Sequence, residues 1–224
     1  MKKLLYNLIL PVTFVALLLA SVIAVSQFRP FFRYQYNKLD RAEYIGIDTE
    51  DLMDVTDGLL SYMAGGRENL DMQYEVKGQM REIFDEREKL HMIDVKNLYM
   101  GVIYIAAALG AVALAMTAFV VKKDGVATAK STLKKNYKFA AIGLLIVVGL
   151  AGIMIANDFN SFWIKFHMIF FTNDLWLLDP RVSIMINMFP LEFFFAIVTT
   201  IIVVFVLLCT AVYLVLKSGK KAPL

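Results

Sequence analysis

The chain has 224 residues, of which 59% are apolar, and a formal net charge of +3. Ordinary soluble domains contain about 45–50% apolar residues, so this composition argues against a soluble globular protein and predicts an integral membrane protein. A single cysteine, Cys209, excludes an intramolecular disulfide and a cysteine-rich zinc site.

Four apolar runs are long enough to cross a bilayer as helices, which takes about 17–25 residues each. They cover approximately residues 4–28, 98–121, 139–156 and 193–216. We therefore predict an all-α membrane protein with four transmembrane helices in a single domain, 1–224. The first run exceeds the apolar core of a cleaved signal peptide, about 7–15 residues, and is expected to be a retained signal anchor.

Lysines cluster on one side of these four runs. They are Lys2, Lys3, Lys122, Lys123, Lys130, Lys134, Lys135, Lys138, Lys217, Lys220 and Lys221. The positive-inside rule then places both termini in the cytoplasm, with segments 122–138 and 217–224. Segments 29–97 and 157–192 are predicted to be extracytoplasmic, as expected for a multi-pass protein of the plasma membrane. A nucleic-acid partner is not expected for so short a basic segment.

The first extracytoplasmic segment, 29–97, is predicted to be mainly helical. Asp48 or Thr49 can cap a helix that Gly65-Gly66 ends. Segment 69–76 is short and partly alternating, which predicts a strand or an extended connector, and a second helix is predicted from near Gln79. Nothing in the sequence interrupts this helix before the second apolar run, so we expect it to continue into the membrane.

His91, on that predicted helix, has carboxylates at helical spacing on both sides. Glu88 lies three residues before it and Asp94 three residues after. A carboxylate that accepts a hydrogen bond from one ring nitrogen fixes the tautomer and leaves the other nitrogen free to act as a base. The alternative is a solvated helix with ordinary ion pairs, since Arg87 and Lys89 have equally suitable spacing.

The second extracytoplasmic segment, 157–192, is too short and too polar to span, which predicts helices lying at the membrane interface. Asp179-Pro180 is predicted to begin a short helix that ends near Met188, and Pro190 to begin the last transmembrane helix. Besides His167, this segment holds four candidate polar site residues, Asn173, Asp174, Asp179 and Arg181. Its candidate substrate-binding aromatics are Trp163, Phe166, Phe170 and Trp176. Aromatic residues also collect at membrane interfaces simply as anchors.

The predicted topology places His91 and His167 on the same outer surface, which favours one joint site. Their segments are EREKLHMIDVKNLY (Glu86–Tyr99) and FHMIFFTNDLWLLDPRVSIMINMFP (Phe166–Pro190). At this spacing in a four-span chain, they resemble the lipoprotein intramolecular transacylase family, Lit, of Gram-positive bacteria. The resemblance extends over essentially the whole chain.

This resemblance implies an acyltransferase whose partners are a diacylglyceryl lipoprotein in the outer leaflet and membrane lipids. It would move the sn-2 acyl chain to the α-amino group of the N-terminal cysteine, giving a lyso-form lipoprotein. No metal or other cofactor is implied, and a monomer is expected.

Histidine acid–base catalysis suits this reaction. Either His91, oriented by Asp94 or Glu88, or His167, oriented by Asp174, would deprotonate the amine, and the other would protonate the departing glycerol oxygen. Oxyanion donors could come from Asn173, from Arg181 or from the helix predicted after Asp179. No serine lies in a G-x-S-x-G context, which disfavours a serine acyl-enzyme, whereas an acyl-histidine stays open.

Two non-enzymatic alternatives also fit the sequence. The two histidines could ligate haem iron or, with Asp94 and Asp174, a transition metal. The extracytoplasmic segments could instead only bind a partner protein. A transporter is disfavoured because the apolar runs are nearly free of ionisable residues, apart from Asp158 at an outer edge.

Overall fold

A computed structural model describes residues 2–218 of the chain. Lys220, Lys221 and the rest of segment 219–224, predicted to be cytoplasmic, lie outside the described residues. The elements in chain order are α1 (Lys2–Ser26), α2 (Arg29–Lys38), α3 (Arg41–Ile45), α4 (Thr49–Met63), β1 (Gln73–Val76), β2 (Gln79–Glu82), α5 (Glu86–Asp124), α6 (Val126–Asn157), α7 (Phe159–Phe170), α8 (Ile184–Met188) and α9 (Leu191–Lys217).

Four of these helices, α1, α5, α6 and α9, are long and apolar enough to cross a membrane. They contain almost all of the four predicted apolar runs, so the prediction of a four-span helical membrane protein is confirmed. The prediction that one helix runs unbroken from the outer segment into the second span is also confirmed, by the 39 residues of α5. At 1.5 Å per residue, α5 is about 58 Å long, nearly twice a hydrocarbon core of about 30 Å.

The chain divides into two compact units where one domain was expected from the sequence. The first comprises the described parts of Met1–Val22, Ile103–Asn157 and Thr200–Leu224, and the second comprises Ile23–Val102 and Asp158–Thr199. The second unit contains both histidines.

In the first unit, segment 122–138 is almost entirely helical. Only Gly125 separates α5 from α6, and its φ of 79° is one that glycine adopts without strain. The carboxylate of Asp124 accepts a hydrogen bond from the Tyr6 hydroxyl at 2.8 Å and pairs with Lys2 at 2.6 Å. These contacts hold the start of α1 against the end of α5.

The second unit is built around an apolar core that α2, α4, α8 and the start of α9 share. Its fully buried side chains include Tyr36, Leu52, Met53, Phe84, Met188 and Phe193. The hydroxyl groups of Tyr36 and Thr56 lie 2.9 Å apart, so the buried phenol has a hydrogen-bond partner. This core fixes the elements that carry the candidate site.

Between α4 and α5 the structure has a β-hairpin, so the prediction of a helix from Gln79 is wrong. Lys77 and Gly78 form its two-residue turn with φ values of 54° and 77°, as the preferred hairpin turns require. Helix α5 begins only at Glu86, because Asp85 accepts a hydrogen bond from the Glu88 N–H at 2.8 Å and so caps it.

In segment 157–192, α7 begins after Asp158, whose carboxylate accepts a hydrogen bond from the Ser161 N–H. The next helix, α8, begins after Ser183, so the predicted start at Asp179 is wrong. The Asp179 carboxylate instead accepts from the backbone N–H and the guanidinium of Arg181 in a turn that precedes α8.

Candidate functional site

His91 on α5 and His167 on α7 lie side by side in the second unit. Their ring centroids are 6.1 Å apart and the rings are tilted by 34°. Each residue is only 7% exposed. At this distance between centroids, the ring nitrogens are too far apart for a direct hydrogen bond. The distance suits one group that lies between the rings and bonds to both, since each hydrogen bond spans about 2.6–3.2 Å.

The orientation of His167 is fixed by the backbone of its own helix. Its Nδ1 lies 2.8 Å from the carbonyl oxygen of Trp163, one turn earlier. Because a carbonyl can only accept, Nδ1 carries the proton and Nε2 of the neutral ring has a free lone pair. Burial lowers the pKa of His167, although the hydrogen bond to Trp163 acts in the opposite direction. His167 is therefore a neutral imidazole at neutral pH.

Aromatic rings enclose the pair. Trp176 stacks on His167 with centroids 4.7 Å apart, and Trp163 and Phe166 meet the same imidazole edge-on at 4.9 and 5.5 Å. Phe171 contacts both histidines, at 5.3 Å from His91 and 5.5 Å from His167. Phe170, the fourth aromatic residue predicted from sequence, packs on Phe166 instead of on a histidine.

His91 has no carboxylate bonded to it. Its Nδ1 is buried and has no hydrogen-bond partner among the described residues. Such atoms are rare in native proteins, because an unsatisfied buried polar group costs about 1–3 kcal/mol. The expected pairings with Glu88 and Asp94 are not formed, since both carboxylates bond to other groups.

Glu88 is a structural residue that joins α5 to α8. It is 1% exposed, and one carboxylate oxygen accepts from the Ser183 hydroxyl and from the Met185 N–H at 2.9 Å. The other oxygen accepts from the Asp85 N–H at 2.7 Å, which completes a capping box. The N-terminus of α8, one of the expected sources of oxyanion donors, is therefore occupied by Glu88.

Asp94 lies one turn beyond His91 and accepts a hydrogen bond from Asn173 Nδ2 at 2.8 Å. Asn173 Oδ1 accepts from the Leu175 N–H at 3.1 Å, and its backbone oxygen accepts from Trp176 Nε1. Asn173 thus links Asp94 to the ring that covers His167. A cavity of about 230 Å³ opens here, lined by Asp94, Asn97, Leu98, Phe170, Phe171, Thr172 and Asn173.

The remaining polar candidates lie apart from the imidazoles. Asp174 pairs with Arg87 at 3.3 Å, and Arg87 also donates to the Asp174 backbone oxygen. This pair ties the loop after α7 to the first turn of α5, and it does not orient His167. Arg181 is exposed and bonded to Asp179, at 2.6 Å. Neither residue of that second pair meets a histidine.

Sequence reasoning did not select three residues that define this site. Phe171 contacts both histidines, and Asp85 and Ser183 hold Glu88. The capping-box spacing of Asp85 and Glu88 is visible in the sequence and would have marked Glu88 as a helix-start residue. Among residues 2–218, no group of three or more His, Cys, Asp or Glu side chains is arranged to hold a metal ion, so the metal-binding alternative gains no support.

Comparison with known proteins identifies the family. A model described as "Lipoprotein intramolecular transacylase Lit" matches residues 7–194, whereas no curated protein sequence matches. The structure of the membrane-integral Lit from Bacillus cereus has a TM-score of 0.76 at 19% identity, covering 97% of this chain and 96% of that one. Two variants of the Bacillus cereus protein, with a histidine replaced by arginine or by alanine, each have a TM-score of 0.73. Their identities are 20% and 19%, and the alignments cover 97% of this chain and 92% and 94% of theirs.

At these identities, the likeness to the solved structures establishes the fold. The family match covers well over half of the chain. It shows that this protein belongs to the lipoprotein intramolecular transacylase (Lit) family of acyltransferases.

Proposed function

We propose that this protein transfers the sn-2 acyl chain of a diacylglyceryl lipoprotein to the α-amino group of the lipoprotein's own N-terminal cysteine. The observation that carries the proposal is the buried pair of imidazoles 6.1 Å apart, in a chain of this acyltransferase family. The product is a lyso-form lipoprotein with an N-acyl group. The site faces the extracytoplasmic side, where a processed lipoprotein displays its lipid-bearing cysteine.

His167 acts as the base. Its Nδ1–H is held by the Trp163 carbonyl, so Nε2 accepts the proton from the attacking nitrogen and the carbonyl stabilises the imidazolium that forms. The nitrogen bonds to the ester carbonyl carbon, and the bond to the glycerol oxygen then breaks. The His167 imidazolium passes its proton, by way of the substrate group held between the rings, to one ring nitrogen of His91, and the other ring nitrogen of His91 donates its proton to the departing glycerol oxygen, so that both imidazoles end neutral. A substrate that starts as an ammonium releases its second proton to water.

The reactants belong to one molecule, so the enzyme mainly has to hold that molecule bent. Fixing an intramolecular geometry can supply about 7–11 kcal/mol of the barrier reduction. The rings of Trp176, Phe171 and Trp163 keep water from the imidazoles, which protects the ester from hydrolysis. The 230 Å³ cavity is smaller than drug-sized ligand sites of about 300–1,000 Å³. It suits the amine and the ester, while the acyl chains stay in the bilayer.

The test is mass spectrometry of the N-terminal peptide of one lipoprotein from a host that lacks any N-acylating enzyme. Expression of this protein should convert the diacylglyceryl peptide into its isomer with one acyl chain on nitrogen and one on glycerol, with no change in mass and a changed fragmentation pattern. His167→Ala should abolish the conversion, whereas Arg181→Ala, in the exposed pair away from the imidazoles, should not. An unchanged peptide with well-expressed wild-type protein would refute the proposal.

A further inference from the structure

Asp94, one turn from His91, is a carboxylate with no cationic partner among residues 2–218. The hydrogen bond that it accepts comes from the neutral amide of Asn173, at 2.8 Å. The nearby cations bond elsewhere: Arg87 binds Asp174, and Lys96 lies over the ring of Tyr62 at 4.3 Å. A half-buried carboxylate in this situation still attracts a positive charge.

The cavity beside Asp94 gives that charge a place to bind. It has about 230 Å³ and lies between α5 and the loop after α7. On α5, Asp94 is one turn from His91, and Leu98, at the start of the second predicted apolar run, is one turn further on. His91 Nδ1, one turn from Asp94, is buried and has no hydrogen-bond partner among the described residues.

We infer that Asp94 is the positioning residue that binds the α-ammonium group of the substrate cysteine. This inference rests on the proposed function, in which that group is the nucleophile. The reference pKa of an α-amino group is about 7.7–8.0, so most of the substrate arrives as a cation at neutral pH. Asp94 accepts hydrogen bonds from the ammonium and directs one of its N–H bonds toward the imidazoles.

Asn173 sets the direction of this carboxylate. Its amide bonds to Asp94 on one side, and its backbone oxygen bonds to Trp176 on the other. The ring that covers His167 and the group that receives the amine are therefore held by one residue. An amine bound at Asp94 is one helical turn from His91 and lies beside Phe171, the ring that contacts both histidines.

The inference can be tested by binding without turnover. The ligand is a dialkylglyceryl-cysteinyl peptide, whose ether bonds cannot undergo acyl transfer, compared with an analogue that has hydrogen in place of the α-amino group. Wild-type protein in nanodiscs should bind the amine form about tenfold or more tightly, as expected for a charge-assisted hydrogen bond. Asp94→Asn keeps an acceptor for Asn173. In this variant the ratio of the dissociation constants of the two ligands should be close to one. The matched control Asp179→Asn removes a carboxylate already paired with Arg181, in the exposed pair away from the imidazoles, and should keep the preference.

Raising the pH gives a second readout that a purely structural role would not change. The preference for the amine should decline above about pH 8, as the ammonium loses its proton, and Asp94→Glu should retain part of it. An Asp94→Asn protein with the wild-type preference would overturn the inference, even if acyl transfer is observed. Absence of acyl transfer by the wild-type protein would instead refute the proposed function, because the ether ligand reports binding alone.

Discussion

The carboxylate of Glu88 and the hydroxyl of Ser183 are joined by a buried hydrogen bond across 95 positions of sequence. Ser183 is also the N-cap of α8, since its side chain accepts from the Ile186 N–H at 3.2 Å. The bond therefore attaches the first turn of α5, three residues before His91, to the segment that leads into α9. This contact therefore holds one end of the site in place.

Removal of the Glu88 carboxylate should destabilise the protein. Glu88→Ala leaves the Met185 N–H and the Ser183 hydroxyl without their acceptor, and each of these buried groups costs about 1–3 kcal/mol when unsatisfied. It also removes the acceptor of the Asp85 N–H in the capping box. Thermal unfolding of purified protein in detergent should show a clear fall in Tm. Glu86→Ala, in the same helical turn, removes only an exposed pair with Lys89 at 3.4 Å and should change Tm little. Equal Tm values for the two variants would contradict this role of Glu88.

The long apolar helices were predictable from sequence because their signal is local. A run of apolar residues must be helical in a bilayer, since every backbone polar group needs an internal partner. The caps at Asp48 and Gly65 were predictable for the same reason, and the structure confirms both. The hairpin at Lys77-Gly78 was missed because its strands are short and carry little apolar alternation.

The hydrogen-bond partners of the polar site residues were not predictable. Helical spacing shows which residues share a face of the helix, but it does not show which other groups of the folded chain bond to those side chains. Glu88 and Asp94 flank His91 in sequence, yet backbone N–H groups and Ser183 bind the first and Asn173 binds the second. His167 is oriented by a backbone carbonyl of its own helix, that of Trp163. Every helix has such carbonyls, so the sequence does not show which one bonds to a side chain.

The two histidines should behave as one catalytic unit. His91→Ala and His167→Ala should each lower the rate of N-acylation by about 10²-fold or more. The double variant should lose little beyond either single variant, as for residues that act together. The rate is measured by mass spectrometry on a purified lipoprotein in nanodiscs, with Tm as the check on folding. If the rate loss of the double variant equalled the product of the two single losses, the two rings would act independently.

Arg87 should affect the rate without touching a histidine. It binds the backbone oxygen and the carboxylate of Asp174, and so holds the loop that carries Asn173 and Trp176. Arg87→Ala should lower the rate by about tenfold to a hundredfold, because a misplacement of about 1 Å costs on the order of 10²-fold. Asp174→Asn keeps the backbone contact and should cost less. A larger loss in Asp174→Asn than in Arg87→Ala would show that the carboxylate itself takes part in the reaction.

The pH dependence of transfer should report the burial of His167. Burial lowers the pKa of this imidazole, so its base form persists below the ordinary value of about 6.5, and the part of the acidic limb that His167 contributes should lie at more acidic pH than that value. Trp176→Ala removes the ring stacked at 4.7 Å and admits water, which stabilises the imidazolium and raises the pKa. This part of the acidic limb of the pH–rate profile should therefore move to higher pH. Phe170→Ala, which deletes a ring that packs on Phe166, is the control and should leave the limb in place. An acidic limb that Trp176→Ala does not move would mean that a group other than His167 is the base.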